Sequence, residues 1–398
     1  MAPPERPANP YTPGQVPRIL AGRRAELGRI RDQVSRVATY GELGGPLLVF
    51  HAPRGIGKTS LLRTAQRETA ELGFVSVWVS CVRGTPFLPE LVAGTTRSLE
   101  RADAVPPGAS GSRWRARLDR IGLELGLPGV KITADLRPGE APAPPTAPVT
   151  ALEDLLHEAA ALVRGRGGAG LLVLVDELHA ASRDELSVLL NALQNLDGAR
   201  EENPLAVVAA GLPVTPEVIT RAATFGERSA FVALDVLGGS EARSALTAPA
   251  EALGVGWTAT ALDAVLAESG GYPYFLQLLG SAAWAAAAPS VGDRIGAAHV
   301  RAGFPAAQGQ VTAVYRARWG SATPTEQAFL AAMAHALGEG DGHVTRAQIA
   351  AALGQDTRSI SVPRERLIDK GVIEPVGHGL VRFTLPGFAA YVRARSTD

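Results

Sequence analysis

The stretch HAPRGIGKTS, residues 51–60, carries the strongest structural signal in this 398-residue sequence. Residues 52–59 follow the phosphate-binding pattern G-x-x-x-x-G-K-[ST], except that Ala52 replaces the first glycine. Such a loop points backbone N–H groups at phosphate oxygens and places a helix N-terminus behind them. Alanine at the loop entry is harmless if its φ is negative, and costs roughly 1–2 kcal/mol if its backbone is left-handed. The alternative interpretation is a glycine turn between a strand and a helix.

Each position of this loop has an expected task. Gly55 and Gly57 stand where the chain must approach phosphates closely. Lys58 is expected to reach the β- and γ-phosphates, and the Thr59 hydroxyl is expected to face Mg²⁺. The predicted nucleotide-binding residues of the loop are Ala52, Pro53, Arg54, Gly55, Ile56, Gly57, Lys58, Thr59 and Ser60.

A second motif, LLVLVDELH at residues 171–179, places Asp176 and Glu177 directly after five apolar residues. A carboxylate at such a strand end can hold the water shell of magnesium, and the next one can polarise an attacking water. Asp176 is therefore a predicted metal residue together with Thr59, and Glu177 a predicted catalytic residue. Taken alone, two acidic residues here are equally compatible with an ordinary polar strand end. The two motifs together predict binding of ATP or GTP with Mg²⁺.

Periodicity around these motifs predicts alternating strands and helices. Residues 24–40 have helical spacing of Leu27, Ile30, Val34 and Val37. Strands are predicted at 47–50, 74–81, 171–175, 204–211 and 231–236. Alternation of this kind predicts a parallel α/β sheet. From about residue 238 the pattern becomes helical, and after residue 323 three helices precede two short strand-like pieces.

Composition limits the partners and the compartment. Lys and Arg number 39, as do Asp and Glu, so no global basic field attracts nucleic acid or anionic membrane. Cys81 is the one cysteine, which excludes an intramolecular disulfide and fits a reducing compartment. No apolar run approaches the ~18 residues that cross a bilayer. The start does not read as a secretory signal, so the cytoplasm is the expected location.

These motifs, in this order, resemble the AAA+/STAND group of P-loop ATPases, specifically bacterial ATPases related to replication initiators. LAGRRAEL (20–27) resembles the GRExEL box, HAPRGIGKTSLL resembles Walker A, and LLVLVDELH resembles Walker B. AVVAAGLP (206–213) resembles the strand that carries sensor 1, and SGGYPYFLQ (269–277) resembles the GxP motif of a helical lid. The C-terminal segment resembles a winged helix.

The resemblance implies an α/β fold: a parallel-sheet P-loop NTPase core, followed by an all-helical lid and a C-terminal winged-helix domain. The expected organisation is a flexible Pro-rich tail (1–18), an ATPase domain (19–236) with a loop-rich insertion at about 101–150, a lid (237–305), and a winged-helix domain with a connecting helix (306–398).

The resemblance also assigns residues. Pro273 of the GxP motif is expected to lie against the nucleotide base. Arg228 resembles the arginine that touches a neighbour's γ-phosphate, which makes it a candidate catalytic residue with Glu177; a plain surface arginine is the alternative. Two family features are missing, because the sensor 1 strand ends in Ala210-Gly211 and no arginine stands near Pro273 in the sensor 2 place. These departures predict slow hydrolysis.

Two functions of different classes remain open. The first is an ATP-dependent molecular switch that acts through an unknown protein partner, with ATP and ADP as its ligands. The second is a DNA-binding AAA+ ATPase of the initiator or transposition-helper type, which would use Arg364 and Arg366. Residues 321–398 carry eight basic and eight acidic residues, so the local charge does not support DNA binding. A homo-oligomer, and a nucleotide-binding subunit without turnover, also remain open.

Overall fold

The computed structural model describes residues 6–105, 147–338, 342–377 and 379–396. These residues form two compact units. The first comprises Met1–Arg24, Ala52–Ser60 and Ala233–Asp398, and the second comprises Ala25–His51 and Leu61–Val232. Most of the predicted loop-rich insertion, residues 106–146, lies outside the described residues.

A five-stranded sheet with the order β2-β3-β4-β1-β5 forms the centre of the α/β part. Its strands are β1 (Leu48–His51), β2 (Phe74–Ser80), β3 (Gly170–Asp176), β4 (Leu205–Gly211) and β5 (Ala230–Ala233). The pairs β2–β3, β3–β4 and β4–β1 are parallel. All seven residues of β3 and all seven of β4 are buried, as expected of central strands covered on both faces. The predicted parallel α/β fold is confirmed.

Helices precede, connect and flank these strands along the chain. They are α1 (Arg24–Tyr40), α2 (Lys58–Glu71), α3 (Leu88–Arg101), α4 (Pro148–Gly165), α5 (Arg183–Gly198) and α6 (Thr215–Ala222), with 3₁₀ turns at Leu178–Ala180, Arg200–Glu202 and Thr224–Arg228. The bounds of α1 match the sequence prediction, and its four apolar residues are buried. The spacing of a single apolar stripe was sufficient to place this helix.

The first unit contains a helical region, residues 239–320. Its helices are α7 (Gly239–Glu251), α8 (Ala259–Ser269), α9 (Pro273–Ala287) and α10 (Ala297–Gly320). Two short parallel strands, β6 (Gly256–Trp257) and β7 (Arg294–Ile295), also lie here. The expectation of an all-helical segment is therefore wrong in this detail, because a strand of two residues carries no periodicity that a sequence can show.

Part of the predicted tail packs against this helical region. Tyr11 is only 3% exposed, and its ring makes edge contacts with Trp257 and Trp284. Trp257 Nε1 donates to the Tyr11 hydroxyl at 2.8 Å, and Asn9 Nδ2 donates to the Ser281 carbonyl at 3.1 Å. The expectation of a flexible tail does not hold for residues 9–11, since an aromatic side chain buried among tryptophans anchors them.

The last part of the chain, the C-terminal region (residues 324–396), belongs to the same unit. Its elements are α11 (Pro324–Leu337), β8 (Val344–Thr345), α12 (Arg346–Leu353), α13 (Ser361–Asp369), β9 (Ile373–Gly377), β10 (Leu380–Phe383) and α14 (Phe388–Ser396). The three strands form an antiparallel sheet in the order β8-β10-β9. Among the residues that the structure describes, no helix combines the length and apolarity needed to span a bilayer.

Candidate functional site

The phosphate loop, residues 52–59, has the backbone conformation that its glycines permit. It follows β1 and runs into α2, which begins at Lys58. Gly55 has φ +86° and Gly57 has φ +95°, in the left-handed region that favours glycine. Ala52 is not among the described residues with positive φ, which besides glycines are Asp103, Glu177 and Ala288. Alanine at the loop entry is thus free of backbone strain.

The Lys58 side chain turns back over its own loop. It is 5% exposed, and its Nζ donates to the carbonyls of Ala52 and Pro53, each at 2.8 Å. A buried ammonium group is costly unless it has partners, and these carbonyls supply them. The amine is therefore held at the rim of the loop, next to left-handed glycines whose N–H groups the loop can present to an anion.

Two side chains from other parts of the first unit fasten the loop. The guanidinium of Arg23, which belongs to the LAGRRAEL segment, donates to the Ile56 carbonyl at 3.2 Å and to the Asp235 carbonyl at 2.6 Å. The Tyr272 hydroxyl donates to the carbonyl of Arg54. The ring of Tyr272 lies against Gly55 so closely that a Cβ at this glycine would stand 2.8 Å from the ring carbon Cε1.

The GxP segment reaches the loop through Tyr272, a residue for which the motif itself predicts no role. Tyr272 is 2% exposed and immediately precedes α9, whose first residue is Pro273. Burial raises the pKa of the Tyr272 phenol above its ordinary range, so the hydroxyl keeps its proton and acts as a donor. The position of Pro273 beside a base stays a prediction.

A cavity of about 240 Å³ adjoins the loop at Pro53 and Ile56. Charged residues Asp235, Glu374 and Arg382 also line it. Arg382 Nε donates to Glu374 Oε1 at 2.5 Å. Burial raises the pKa of Glu374, and this arginine lowers it in part. The cavity is smaller than the ~300–1,000 Å³ typical of complete small-molecule sites, and it suits one part of a larger ligand.

Two arginines, Arg54 and Arg318, place positive charge near the phosphate loop. Arg318 of α10 donates to the Lys370 carbonyl at 3.2 Å. Burial lowers the pKa of Arg318, and repulsion from the Arg54 guanidinium lowers it further. An arginine keeps its charge in proteins, so two like charges near one loop favour an anion between or beside them.

In the second unit, Asp176 and Glu177 lie at the end of β3, as predicted. Asp176 is 4% exposed, pairs with Ser80 of β2, and accepts the Glu177 N–H at Oδ1 at 2.9 Å. Burial lowers the pKa of the nearby Arg63, and the negative charge of Asp176 partly offsets that shift. Glu177 has φ +54° and ψ +35°, a left-handed backbone that non-glycine residues rarely adopt. Strain of this kind concentrates at functional residues.

His179, the last residue of the LLVLVDELH motif, lies beside Glu177 and has no role predicted from the motif. The distance between His179 Nε2 and Glu177 Oε2 is 3.6 Å. His179 Nδ1 is 3.3 Å from the backbone N–H of Leu212, which follows the last residue of β4. The histidine thus links the acidic strand end of β3 with the end of its neighbour.

A steric restriction at the end of β4 explains why no sensor 1 side chain stands there. A Cβ at Gly211, the last residue of β4, would lie 3.0 Å from the Cγ2 of Thr215 and closer still to its hydroxyl. Thr215 itself is buried and donates to the Leu212 carbonyl at 2.5 Å. No side chain fits at this strand end without displacing α6.

The remaining predicted site residues have these positions. Thr59 is exposed and Ser60 half-buried in the first turns of α2. Arg228 is exposed at the end of a 3₁₀ turn, and its guanidinium donates to Gln194 Oε1 at 3.1 Å. The loop and Pro273 fall in the first unit, whereas Asp176, Glu177 and Arg228 fall in the second. The role of Arg228 toward a neighbour's phosphate stays a prediction.

Comparison with known proteins gives two family matches. Residues 19–208 match the family described as "AAA ATPase domain". Residues 312–392 match a family described as "Domain of unknown function (DUF8462)". No curated protein sequence matches the chain.

Solved structures are similar to the chain at low sequence identity. The Walker-type ATPase PABY2304 of Pyrococcus abyssi is 13% identical, with a TM-score of 0.57 over 94% of this chain and 96% of that one. Aeropyrum pernix Orc1 in complex with DNA is 14% identical, with a TM-score of 0.42 over 97% and 95% of the two chains. The Thermotoga maritima RuvB Holliday junction branch migration motor is 14% identical, with a TM-score of 0.44 over 90% and 91%.

The first of these similarities shows the fold over nearly the whole chain. Residues 19–208 are similar to the AAA ATPase domain family.

Proposed function

We propose that this protein is an ATP-dependent molecular switch that hydrolyses ATP slowly and presents its nucleotide state to a protein partner. The observation that carries the proposal is the Tyr272 hydroxyl bonded to the Arg54 carbonyl of the phosphate loop. Through this bond, the helical region contacts the segment that holds phosphates. A ligand can shift a conformational equilibrium only by its differential affinity for the two states, and a contact at the loop provides that difference.

The nucleotide-binding part of the proposal rests on residues that fit a phosphate group. The left-handed Gly55 and Gly57, the N-terminus of α2 and the Lys58 amine form the cradle. Thr59 and Asp176 are the residues that would hold Mg²⁺, which, when bound, supplies charge neutralisation of the phosphates. The cavity at Pro53 and Ile56 has an apolar wall next to the loop, and we propose it as a place for the base. Pro273, the residue predicted to lie against the base, is not among the described residues that line this cavity.

Slow turnover follows from what stands at the two sensor positions. Gly211 cannot carry a side chain, so no polar group projects from the end of β4. At the GxP segment, Tyr272 and Pro273 occupy the place where the related ATPases carry an arginine. Glu177 is left as the group that accepts a proton from the attacking water.

A row of aromatic rings connects Tyr272 with the C-terminal region and supports the switch. The centroid distances are 4.9 Å from Tyr272 to Phe275, 6.3 Å from Phe275 to Tyr315, and 5.6 Å from Tyr315 to Phe388. Tyr391 lies 5.5 Å from Tyr315 and 6.0 Å from Phe388. Ring pairs at these separations attract each other. A displacement of Tyr272 would therefore change the packing of the rings that precede and form part of α14. We propose that the C-terminal region is a winged helix that moves with the helical region.

Replacing Tyr272 by phenylalanine tests the contact directly. Tyr272→Phe keeps the ring and removes one hydrogen bond worth about 1 kcal/mol. This value sets an upper limit of about fivefold on the loss of ADP affinity, reached when the bond forms only in the nucleotide-bound state. We expect ADP to bind more weakly in isothermal titration, by up to about fivefold. The matched control is Tyr274→Phe. Tyr274 is a half-buried tyrosine of α9, two positions after Tyr272, and its variant should bind ADP as the parent does. Equal ADP affinity in all three proteins would contradict the proposed link between this hydrogen bond and the nucleotide state.

Pro273 provides a second test, with a structural readout. Its ring sets φ for the start of α9, and its loss should loosen that start. We expect Pro273→Ala to weaken ADP binding and to abolish the protection from hydrogen exchange that ADP gives residues 262–285. If ADP protects this segment equally in the variant, or not at all in the parent, the helical region does not sense the nucleotide.

The charges of the C-terminal region favour a protein partner over DNA. Arg346, Lys370, Arg382 and Arg393 all donate to oxygens of the same region. These four side chains therefore have partners within the protein, whereas Arg366, one of the two residues named for the DNA-binding alternative, is exposed. A gel shift at low and moderate salt decides between the partners: salt-sensitive binding of duplex DNA would replace this proposal with the DNA-binding one. The cytoplasm is the compartment that we propose, because the single cysteine fits a reducing environment.

A further inference from the structure

Glu177 is held in an unusual way for a residue that must receive a proton. Its backbone is left-handed, and its N–H is bonded to the carboxylate of Asp176 at 2.9 Å. Its side chain is 31% exposed, so water reaches the carboxylate. An exposed glutamate has rotamer freedom, and accurate proton transfer requires that this freedom be limited.

His179 is the neighbour that can limit it. Its side chain is only 5% exposed, and it belongs to the 3₁₀ turn Leu178–Ala180 that begins directly after Glu177. Because the Leu212 N–H donates to His179 Nδ1, the proton of a neutral imidazole lies on Nε2. This nitrogen is the one that faces Glu177 Oε2 at 3.6 Å.

The distance of 3.6 Å exceeds the ~3.2 Å limit of an ordinary N–H···O bond. Catalytic hydrogen bonds are often long without substrate and shorten in the reacting complex. A small rotation of the Glu177 side chain closes the gap, whereas the imidazole is fixed by burial and by the backbone of Leu212. The His179 imidazole is therefore the fixed group, and the Glu177 carboxylate is the group that rotates.

The anchor of this histidine lies at a strand end that has no side chain of its own. Gly211 is the last residue of β4, and Thr215 fills the space that its side chain would need. Leu212 follows it and contributes a backbone N–H. The end of β4 therefore contacts the acidic end of β3 through His179.

We infer that His179 is a positioning residue for ATP hydrolysis, which orients the Glu177 carboxylate and couples it to the end of β4. This inference rests on the proposed role of Glu177 as proton acceptor. In the reaction, a bond forms between the water oxygen and the γ-phosphorus while the bond from that phosphorus to the bridging oxygen of ADP breaks. Glu177 takes the water proton, and ADP leaves with the electron pair. By donating to Oε2, His179 leaves Oε1 for the water.

Two substitutions separate the two bonds of His179. Asparagine places an amide oxygen near the position of Nδ1, so His179→Asn retains the bond from Leu212 and loses the donor toward Glu177. Glutamine extends further and places an amide N–H near the position of Nε2, so His179→Gln retains the donor toward Glu177. His335, an exposed histidine of α11, gives the matched control His335→Asn.

We expect His179→Asn to lower kcat at least about tenfold, in the range typical of orienting partners. ATP affinity, measured by titration of a fluorescent analogue, should stay within about twofold of the parent. His179→Gln should recover most of the lost kcat, and His335→Asn should match the parent in both quantities. A residue needed only for packing would instead lower the melting temperature in both His179 variants and would not separate kcat from affinity.

Two results would overturn the inference. One is an unchanged kcat in His179→Asn; the other is an equal loss in His179→Asn and His179→Gln at an unchanged melting temperature. Turnover of Glu177→Gln, measured in parallel, distinguishes a wrong positioning role for His179 from a wrong proposed function. If Glu177→Gln is inactive while His179→Asn is fully active, only the positioning role falls. If Glu177→Gln is also fully active, the assignment of the proton acceptor falls.

Discussion

Lys58→Ala is expected to weaken nucleotide binding at least about 100-fold. A hydrogen bond to a charged group is worth about 1.5–3 kcal/mol, and about 1.4 kcal/mol corresponds to a factor of ten in affinity. Lys58 is expected to make more than one such bond to phosphate oxygens. Its amine already lies at the loop rim, bonded to the carbonyls of Ala52 and Pro53. Titration of a fluorescent ATP analogue with Mg²⁺ measures the loss.

The fold should survive this change, and two further variants make that testable. Lys58→Met retains most of the buried aliphatic stem and should also lose binding. Arg67→Ala, an exposed site on the same helix, removes one positive charge away from the loop and should bind normally. Circular dichroism shows whether each variant is folded. Parent-like affinity in folded Lys58→Ala would refute the assignment of residues 52–59 to nucleotide.

The sequence predicts those parts of the fold whose conformation depends mainly on residues within the element itself. Helix α1 was predictable because four apolar residues at helical spacing must face one side. Strand β3 was predictable because a run of five apolar residues followed by two acids is short and lacks helical periodicity. The phosphate loop was predictable because left-handed backbone at Gly55 and Gly57 requires the residue type that stands there.

Other features were not predictable, because their cause lies far away in the sequence. Tyr272 and Arg54 are separated by 218 positions, and no local pattern indicates that a phenol bonds to a loop carbonyl. One partner of His179 is the backbone N–H of Leu212, and a backbone amide carries no signal in a sequence because every residue except proline has one. The left-handed conformation of Glu177 was also hidden, since glycine or asparagine is its usual sequence signal.

Glu177→Gln is expected to leave ATP affinity unchanged and to lower turnover about 100- to 10,000-fold, the range that general base catalysis contributes. Glutamine matches glutamate in size and shape, but its amide cannot accept the proton of the attacking water. The left-handed backbone at this position is strained to a similar degree by either side chain, so the melting temperature should also be unchanged. Release of phosphate under saturating ATP measures turnover, and titration of the analogue measures affinity.

The control for this variant is Glu201→Gln, an exposed glutamate in the 3₁₀ turn Arg200–Glu202 of the same unit. It removes the same charge without touching the end of β3 and should hydrolyse ATP as the parent does. Because the loss in Glu177→Gln concerns a proton and not binding, it should persist at any ATP concentration. A defect that disappears when ATP is raised would show that Glu177 contributes to binding, and parent-like turnover throughout would place the proton acceptor on another residue.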